Sequence, residues 1–306
     1  MIECNYERGA EMKCLDLFAG IGGFRLGLEQ AGHECVGFCE IDKFARNSYK
    51  AINNTKGEKE YHDITKVSNE EWRALRGTVE LICGGFPCQS FSTAGKRKGF
   101  LDETRGTLFF EIARAAEQIK PRILFLENVR GLLSHDKGRT FRTILSTLNE
   151  LGYDAEWQIL NSKNFGVPQN RERVFIIGHL RGERRREVFP IRESNSETND
   201  ELKIKIVGNT NNLLKLGGIY TGTSDKFSSK PMLGLSRTLK ANKHDAGIFD
   251  GVRIRKLTPR ECWRLQGFPD WAFEKAQEVN SNSQLYKQAG NSVTVPVIYE
   301  IAKRFE

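Results

Sequence analysis

Cys14-Leu-Asp-Leu-Phe-Ala-Gly-Ile-Gly-Gly-Phe24 is the stretch on which the fold turns. Residues 14–18 are apolar apart from Asp16 and read as a strand. Gly20, Gly22 and Gly23 then predict a tight loop, and a helix follows over about 24–30. A strand that turns through glycines into a helix is the opening unit of a parallel sheet with crossover helices. Working outward, the unit repeats. Residues 34–39 read as a second strand and 42–52 as a second helix. Ser68 with Glu71 has capping-box spacing and predicts a helix start. Strands are expected at 79–83, 123–126 and 174–177. Leu108, Ile112, Ala115 and Ile119 form one helical stripe before Pro121, and Phe141, Ile144, Leu145, Leu148 and Leu151 form another before Gly152. This alternation predicts an α/β fold with a mostly parallel sheet covered on both faces.

The chain has 306 residues, 39% of them hydrophobic and 28% charged, enough to bury a substantial core without metal or disulfide staples. No apolar run approaches the roughly 18 residues needed to cross a bilayer. Residues 1–13 lack the apolar segment of a secretory signal, and the seven cysteines lie mostly inside apolar runs. They are expected to be reduced thiols of a cytoplasmic protein. Cys35 and Cys39 lack a second ligand pair downstream, so no metal is expected. The formal net charge is +8. Residues 181–253, where apolar periodicity fades, hold 14 Lys and Arg against 9 Asp and Glu, a net +5. A polyanion contact is expected there.

The chemistry-bearing residues fall at predicted strand ends. In the doubly wound arrangement, a nucleotide-like ligand approaches the backbone around Gly20, Gly22 and Gly23, and Glu40 closes the second strand where an acid can take both ribose hydroxyls. Read on their own, these are a glycine turn and a solvated acid. A dinucleotide fingerprint starting at Gly20 would need glycine at 25, where Arg25 stands. That favours a cofactor such as S-adenosylmethionine over a nicotinamide dinucleotide. Asp63, two residues after Tyr61, is placed to accept from an adenine amino group. Gly84-Gly-Phe-Pro-Cys-Gln-Ser-Phe-Ser92 follows a buried strand and puts Cys88 in the same crevice, on a mount stiffened by Pro87. A cysteine so held is either incidental or a nucleophile. Phe125-Leu-Glu-Asn-Val129 ends an apolar strand with Glu127 and Asn128, the acid being either a cap or a proton donor. Gln169-Asn-Arg-Glu-Arg173 brings Arg171 and Arg173 to one sheet edge, as surface charges or as anion holders.

Taken in order, these runs resemble the DNA (cytosine-5)-methyltransferase family of the bacterial and phage restriction-modification type, from about Lys13 to Phe305. Residues 16–24 look like the cofactor loop, Pro87-Cys88-Gln89 like the nucleophile motif, and Glu127-Asn128-Val129 with residues 169–173 like the supporting active-site motifs. Residues 255–269 resemble the segment that organises the small domain, and Gln288-Ala-Gly-Asn-Ser-Val-Thr-Val-Pro296 resembles the last motif, which completes the cofactor pocket. The resemblance implies an S-adenosylmethionine-dependent methyltransferase, with a Rossmann-like doubly wound sheet and a smaller, irregular target-recognition domain. It implies an N-terminal extension at 1–12, a catalytic domain at 13–180 completed by 283–306, and target recognition at 181–282. Cofactor contacts are implied at Phe18, Ala19, Gly20, Gly22, Gly23, Glu40, Ile41, Asp63, Ile64, Pro87, Leu108, Asn291, Ser292 and Val293. DNA contacts are implied at Gln89, Ser90, Ser92, Lys96, Arg97, Lys98, Arg237, Thr238 and Lys240.

For the reaction, the resemblance implies that Cys88 attacks carbon 6 of a cytosine flipped out of duplex DNA. Glu127 protonates ring nitrogen 3, Arg173 holds the carbonyl oxygen, Arg171 serves the thiolate region or the backbone, and Asn128 positions the acid or Pro87. Residues 90–107, with Gly95, Gly99 and Gly106, have the composition of a mobile cover. A cognate restriction endonuclease encoded nearby and a monomeric state fit this picture. The competing readings are an RNA-acting member of the same family, a nicotinamide-dependent oxidoreductase, and a DNA-binding protein on a decayed enzyme scaffold.

Overall fold

A computed structural model describes residues 11–87, 108–183, 186–192, 217–220, 232–241, 246–249 and 254–305. Its larger sheet has seven strands: β1 (Lys13–Leu17), β2 (Glu34–Cys39), β3 (Lys59–Tyr61), β4 (Leu81–Gly85), β5 (Ile123–Val129), β6 (Tyr153–Asn161) and β7 (Glu172–Leu180). The spatial order is β3-β2-β1-β4-β5-β7-β6. The first five are parallel, and β7 runs antiparallel between β5 and β6. The order reverses between β1 and β4, so the carboxyl ends of those two strands form the switch point where open α/β sheets take their ligands.

Side-chain alternation along β1 sorts the two faces. Leu15 and Leu17 enter a core with Ile82, Leu124, Leu126 and Ile176, closed by helices α3 (Asn69–Arg73), α4 (Leu108–Ile119) and α5 (Arg139–Glu150) through Trp72, Ile112 and Ile144. Cys14 faces the opposite core with Cys83, Phe125 and Ile177, closed by α1 (Gly23–Gln30) and α9 (Val295–Ala302) through Phe24, Leu28 and Ile298. The Ser68 capping box is present in full.

Several boundaries differ from expectation. Met12 is fully buried and its amide meets His33 Nδ1 at 3.3 Å, so the fold takes in the last residue of the expected 1–12 extension. Strand β4 runs through Gly84 and Gly85 instead of ending at Cys83, because both glycines stay in register with β5. Strand β6 has no counterpart in the sequence reading; its Asp154, Glu156 and Gln158 interrupt the apolar run that would announce it.

The second sheet, in the order β11-β10-β8-β9, consists of β8 (Gly217–Tyr220), β9 (Met232–Leu233), β10 (Ala246–Phe249) and β11 (Ile254–Lys256). After it come α6 (Pro259–Leu265), α7 (Asp270–Val279) and α8 (Asn282–Asn291). These helices share a core with Ile21, Leu26 and Ile52, through Trp263, Phe268, Phe273 and Leu285. Ile52 ends α2 (Lys43–Ile52), to which the C-terminal helices are tied by Lys287–Asp42 at 2.6 Å and Ser48–Gln288 at 3.0 Å. No helix among the described residues is long and apolar enough to cross a membrane.

Candidate active site

Residues that the sequence scatters over 280 positions meet at the carboxyl ends of β1, β2, β4 and β5. After β1, Phe18 takes a left-handed backbone (φ 55°) and Gly20 follows at φ 56°. The turn is pinned by Ala19 N–H donating to Cys39 O at 3.1 Å and Gly20 N–H to the Glu40 carboxylate at 2.8 Å. Glu40 also accepts from the Asp42 amide at 2.7 Å. Burial is the largest influence on Glu40 and raises its proton affinity, against these two amides. Beside it, Ile41 is 70% exposed, an apolar side chain left bare next to a half-buried acid. Asp63 sits at the same sheet end, capping the short turn at Ile64 through the Thr65 amide (3.0 Å) and hydroxyl (2.7 Å).

The 288–296 run closes this corner. A Cβ on Gly23 would stand 2.8 Å from Ser292 Oγ and 2.8 Å from Val293 Cγ2, so only glycine lets the two segments touch. Ser292 and Val293 are buried, and Asn291 is exposed at the end of α8. Leu108 opens α4, half-buried against the core. Phe18, Gly20, Gly22, Gly23, Glu40, Ile41, Asp63, Ser292 and Val293 therefore belong to one neighbourhood.

A second group stands across β4. Glu127, two residues from the end of β5, pairs with Arg173 Nε at 2.8 Å; both side chains are more than four-fifths buried. Neighbouring positions make the pair: Arg173 lies opposite Val129 in the β5–β7 register. Arg173 also donates to Glu172 O at 2.8 Å. Glu127 Oε2 hangs over Gly85, at 2.9 Å from where a Cβ would be. Asn128 is buried and donates its amide to Phe86 O at 2.8 Å, while its Oδ1 accepts from the Val129 N–H at 2.9 Å. It thereby grips the chain directly ahead of Pro87, which is exposed. Cys88, Gln89, Ser90, Ser92, Lys96, Arg97 and Lys98, and the cover expected at 90–107, lie outside the described residues.

Of the two places expected for Arg171, the thiolate region or the backbone, the structure shows it on backbone carbonyls. It does not join Arg173 at the acid. Its guanidinium turns into the protein and donates to Leu239 O (3.3 Å), Gly290 O (3.2 Å) and Ser292 O (2.8 Å). Arg171 precedes β7, so strand alternation does not bind it to the face of Arg173. The carbonyls at the end of α8 have no intrahelical partners and draw the fork instead. Thr238 Oγ1 donates to Asn170 O at 2.6 Å, placing the 236–240 piece against the same run. Lys240 is exposed and Arg237 half-buried.

Two buried charges, Asp16 and Arg25, carry more than their sequence reading gave them. Asp16 is fully buried at the end of β1; its Oδ1 receives the Cys83 thiol at 3.6 Å, and Oδ2 has no hydrogen-bond partner among the described residues. Arg25, noticed only as a missing glycine, is buried. It forks onto Glu58 at 2.9 and 2.8 Å and holds Glu29 at 2.7 Å, so it anchors α1. A charged residue inside an apolar run was the available signal for both.

The profile of the C-5 cytosine-specific DNA methylases matches residues 12–230 and 215–306. The chain belongs to that family. It is a DNA (cytosine-5)-methyltransferase. The Type II methyltransferase M.HhaI of Haemophilus parahaemolyticus is 35% identical, over 99% of this chain and 96% of its own. The Type II methyltransferase M1.ScrFI of Lactococcus lactis subsp. cremoris is 38% identical, over 96% of this chain and 78% of its own. In fold, the methyltransferase is similar to the crystal structure of the S. pombe Dnmt2 methyltransferase, with a TM-score of 0.69 at 19% identity, covering 96% of this chain and 98% of that one. The family description sets the oxidoreductase aside.

Proposed function

We propose that the methyltransferase uses S-adenosylmethionine as donor and modifies a cytosine flipped out of a specific duplex sequence, through a transient Cys88–carbon 6 bond. The observation that carries this reading is the Glu127–Arg173 pair at 2.8 Å beside Gly85, with Asn128 gripping the carbonyl that precedes Pro87 and Cys88.

The glycine corner fits the donor. A half-buried acid with two backbone amides on it stands next to bare Ile41, and Gly20 has open space where a Cβ would point. Phe18, Ala19, Gly20, Gly22, Gly23, Glu40, Ile41, Asp63, Ile64, Pro87, Leu108, Asn291, Ser292 and Val293 would hold it. When bound, it supplies a sulfonium methyl group that a carbon nucleophile can take.

Carbon 5 of cytosine is not such a nucleophile until carbon 6 has been attacked. The Cys88 thiolate forms the sulfur–carbon bond, and the ring electrons move to carbon 5. Glu127 gives its proton to ring nitrogen 3 as that charge develops. The carboxylate left behind already has Arg173 against it, and the same guanidinium would hold the base carbonyl. Once the methyl group is on carbon 5, leaving the neutral thioether S-adenosylhomocysteine, a base removes the carbon 5 proton, the carbon–sulfur bond breaks to return the thiolate, and the nitrogen 3 proton goes back to the Glu127 carboxylate. Flipping costs a few kcal/mol of stacking and pairing, which duplex contacts must offset. Those contacts are assigned to the 181–282 unit and to Gln89, Ser90, Ser92, Lys96, Arg97, Lys98, Arg237, Thr238 and Lys240. The Type II names of the relatives support a cognate endonuclease encoded nearby. The mechanism needs only one subunit, and the cysteines Cys14, Cys35, Cys39, Cys83 and Cys262 are buried and free, as a reducing cytoplasm allows.

Bisulfite sequencing of mixed DNA after incubation with S-adenosylmethionine is expected to show protected cytosines within one short sequence. A duplex carrying 5-fluorocytosine at that site is expected to trap a covalent complex, and Cys88→Ala to trap none and methylate none. Turnover by Cys88→Ala would remove the covalent route.

A further inference from the structure

The Arg171 fork joins two segments that are far apart in sequence and differ in purpose. Leu239, on one side, belongs to the strap 236–241. Gly290 and Ser292, on the other, belong to the segment that closes on Gly23. We infer that Arg171 is a positioning residue through which duplex engagement and the cofactor corner are energetically coupled. This rests on the proposed reading of the cofactor corner and of the recognition region.

The strap is tied to the run that carries Arg171 at Ser236, Thr238 and Leu239. Ser236 N–H donates to Pro168 O at 2.6 Å, and Asn170 N–H to Ser236 O at 2.9 Å. Thr238 Oγ1 donates to Asn170 O at 2.6 Å, and Leu239 N–H to Gln169 Oε1 at 3.2 Å. Gln169 is itself fully buried and donates to Leu265 O at 2.8 Å. Strap and α8 then meet backbone to backbone: a Cβ on Gly290 would lie 2.5 Å from both Ala241 N and Lys240 C. Nothing compressible separates the strap, which carries Arg237, Thr238 and Lys240, from residues 290–293.

Arg171 makes this contact resist partial change. It is 3% exposed and permanently charged, and its guanidinium donates to three carbonyl oxygens from these two segments. Moving the strap away would pull Leu239 O from a buried cation, a costly loss in a dry site. The strap and the 290–293 segment therefore shift together or not at all, and Ser292 and Val293 carry that shift to Gly23. A duplex that favours one position of the strap must then change donor affinity, and the donor must change duplex affinity by the same factor.

The test uses the full chain, the duplex found by bisulfite mapping, and S-adenosylhomocysteine as the probe. Its Kd is measured by calorimetry with and without saturating duplex, and the ratio is the coupling factor. The wild type is expected to give a factor of about 5 or more. Arg171→Lys keeps the charge but cannot span three carbonyls, and is expected to bring the factor below about 2. Thr238→Val, which cuts one stitch of the strap, is expected to lower the factor, and Thr238→Ser to restore it; this pair decides the matter if Arg171→Lys does not fold. A merely structural arginine would weaken both Kd values alike and leave the ratio unchanged. A wild type that methylates carbon 5 yet shows a ratio near 1, or variants that keep the wild-type ratio, would overturn the inference and leave the proposed function standing. A wild type that methylates nothing would remove the proposed function itself.

Discussion

Asp16 is fully buried, with one carboxylate oxygen lacking a hydrogen-bond partner among the described residues. Burial, working against the Cys83 thiol contact, lifts its pKa to about 7. In the unfolded chain an aspartate titrates near ~3.9. Between those values the folded state holds a proton that the unfolded state has lost, so stability falls as pH rises from about 4 to about 7 and is level above. Three units correspond to roughly 4 kcal/mol. Urea denaturation at pH 5 and pH 8 is expected to show this loss in the wild type and a smaller one in Asp16→Asn. Equal pH slopes in the two proteins would mean that the carboxyl ionises normally. Glu127 is the contrasting acid, paired at once with Arg173. Glu127→Gln cannot deliver a proton to nitrogen 3, and is expected to slow single-turnover methylation by about 10²- to 10⁴-fold with duplex affinity nearly unchanged. Identity was legible at this scale, since Glu127, Asn128 and Arg173 stand together as the sequence order implied. Direction was not. Nothing in Gln169-Asn-Arg-Glu-Arg173 says that one arginine faces the acid and the other the end of a helix, because that depends on where β7 begins.

Elements decide how firmly such side chains are held. Asn128 ends an apolar strand and uses both ends of its amide, one on Phe86 O and one on the Val129 N–H. Asn128→Asp keeps the acceptor and loses the donor, leaving a buried carbonyl without its partner and a negative charge facing it. A stability loss of about 1–3 kcal/mol is expected in chemical denaturation, together with a lower kcat at little-changed KM for the donor, because the grip acts on the Pro87–Cys88 mount. A raised KM with normal kcat would show that Asn128 serves the cofactor instead. Helices and buried strands were readable from periodicity: α3 begins at its Ser68 capping box, and α5 ends just before Gly152. Strand β6 was not, since six of its nine residues are at least partly exposed and its pairing with β7 comes from tertiary contact. The two-residue shift of β4 has a similar origin: glycines that read as a loop are held in the sheet by β5.

At the scale of the whole molecule, charge and packing divide the chain differently. The packing core that holds α6, α7 and α8 also takes in Ile21, Leu26 and Ile52. Composition could not show this, because each of those helices taken alone is merely amphipathic. The charge, by contrast, was legible by counting: residues 181–253 carry a net +5 of the chain's +8. A basic lobe that grips phosphates releases condensed counterions, and each neutralised phosphate contributes about −0.9 to the slope of log K against log salt. Lys240 is exposed on the strap, one residue beyond the carbonyl that Arg171 holds. If it meets a phosphate, Lys240→Gln reduces the magnitude of the slope by about 0.9 and weakens binding evenly across duplex sequences, because a phosphate contact carries no base information. Fluorescence anisotropy on a target and a scrambled duplex over a salt series distinguishes the outcomes. A parallel drop for both duplexes places Lys240 on the backbone. A drop for the target alone places it on a base edge, and an unchanged slope removes it from the interface.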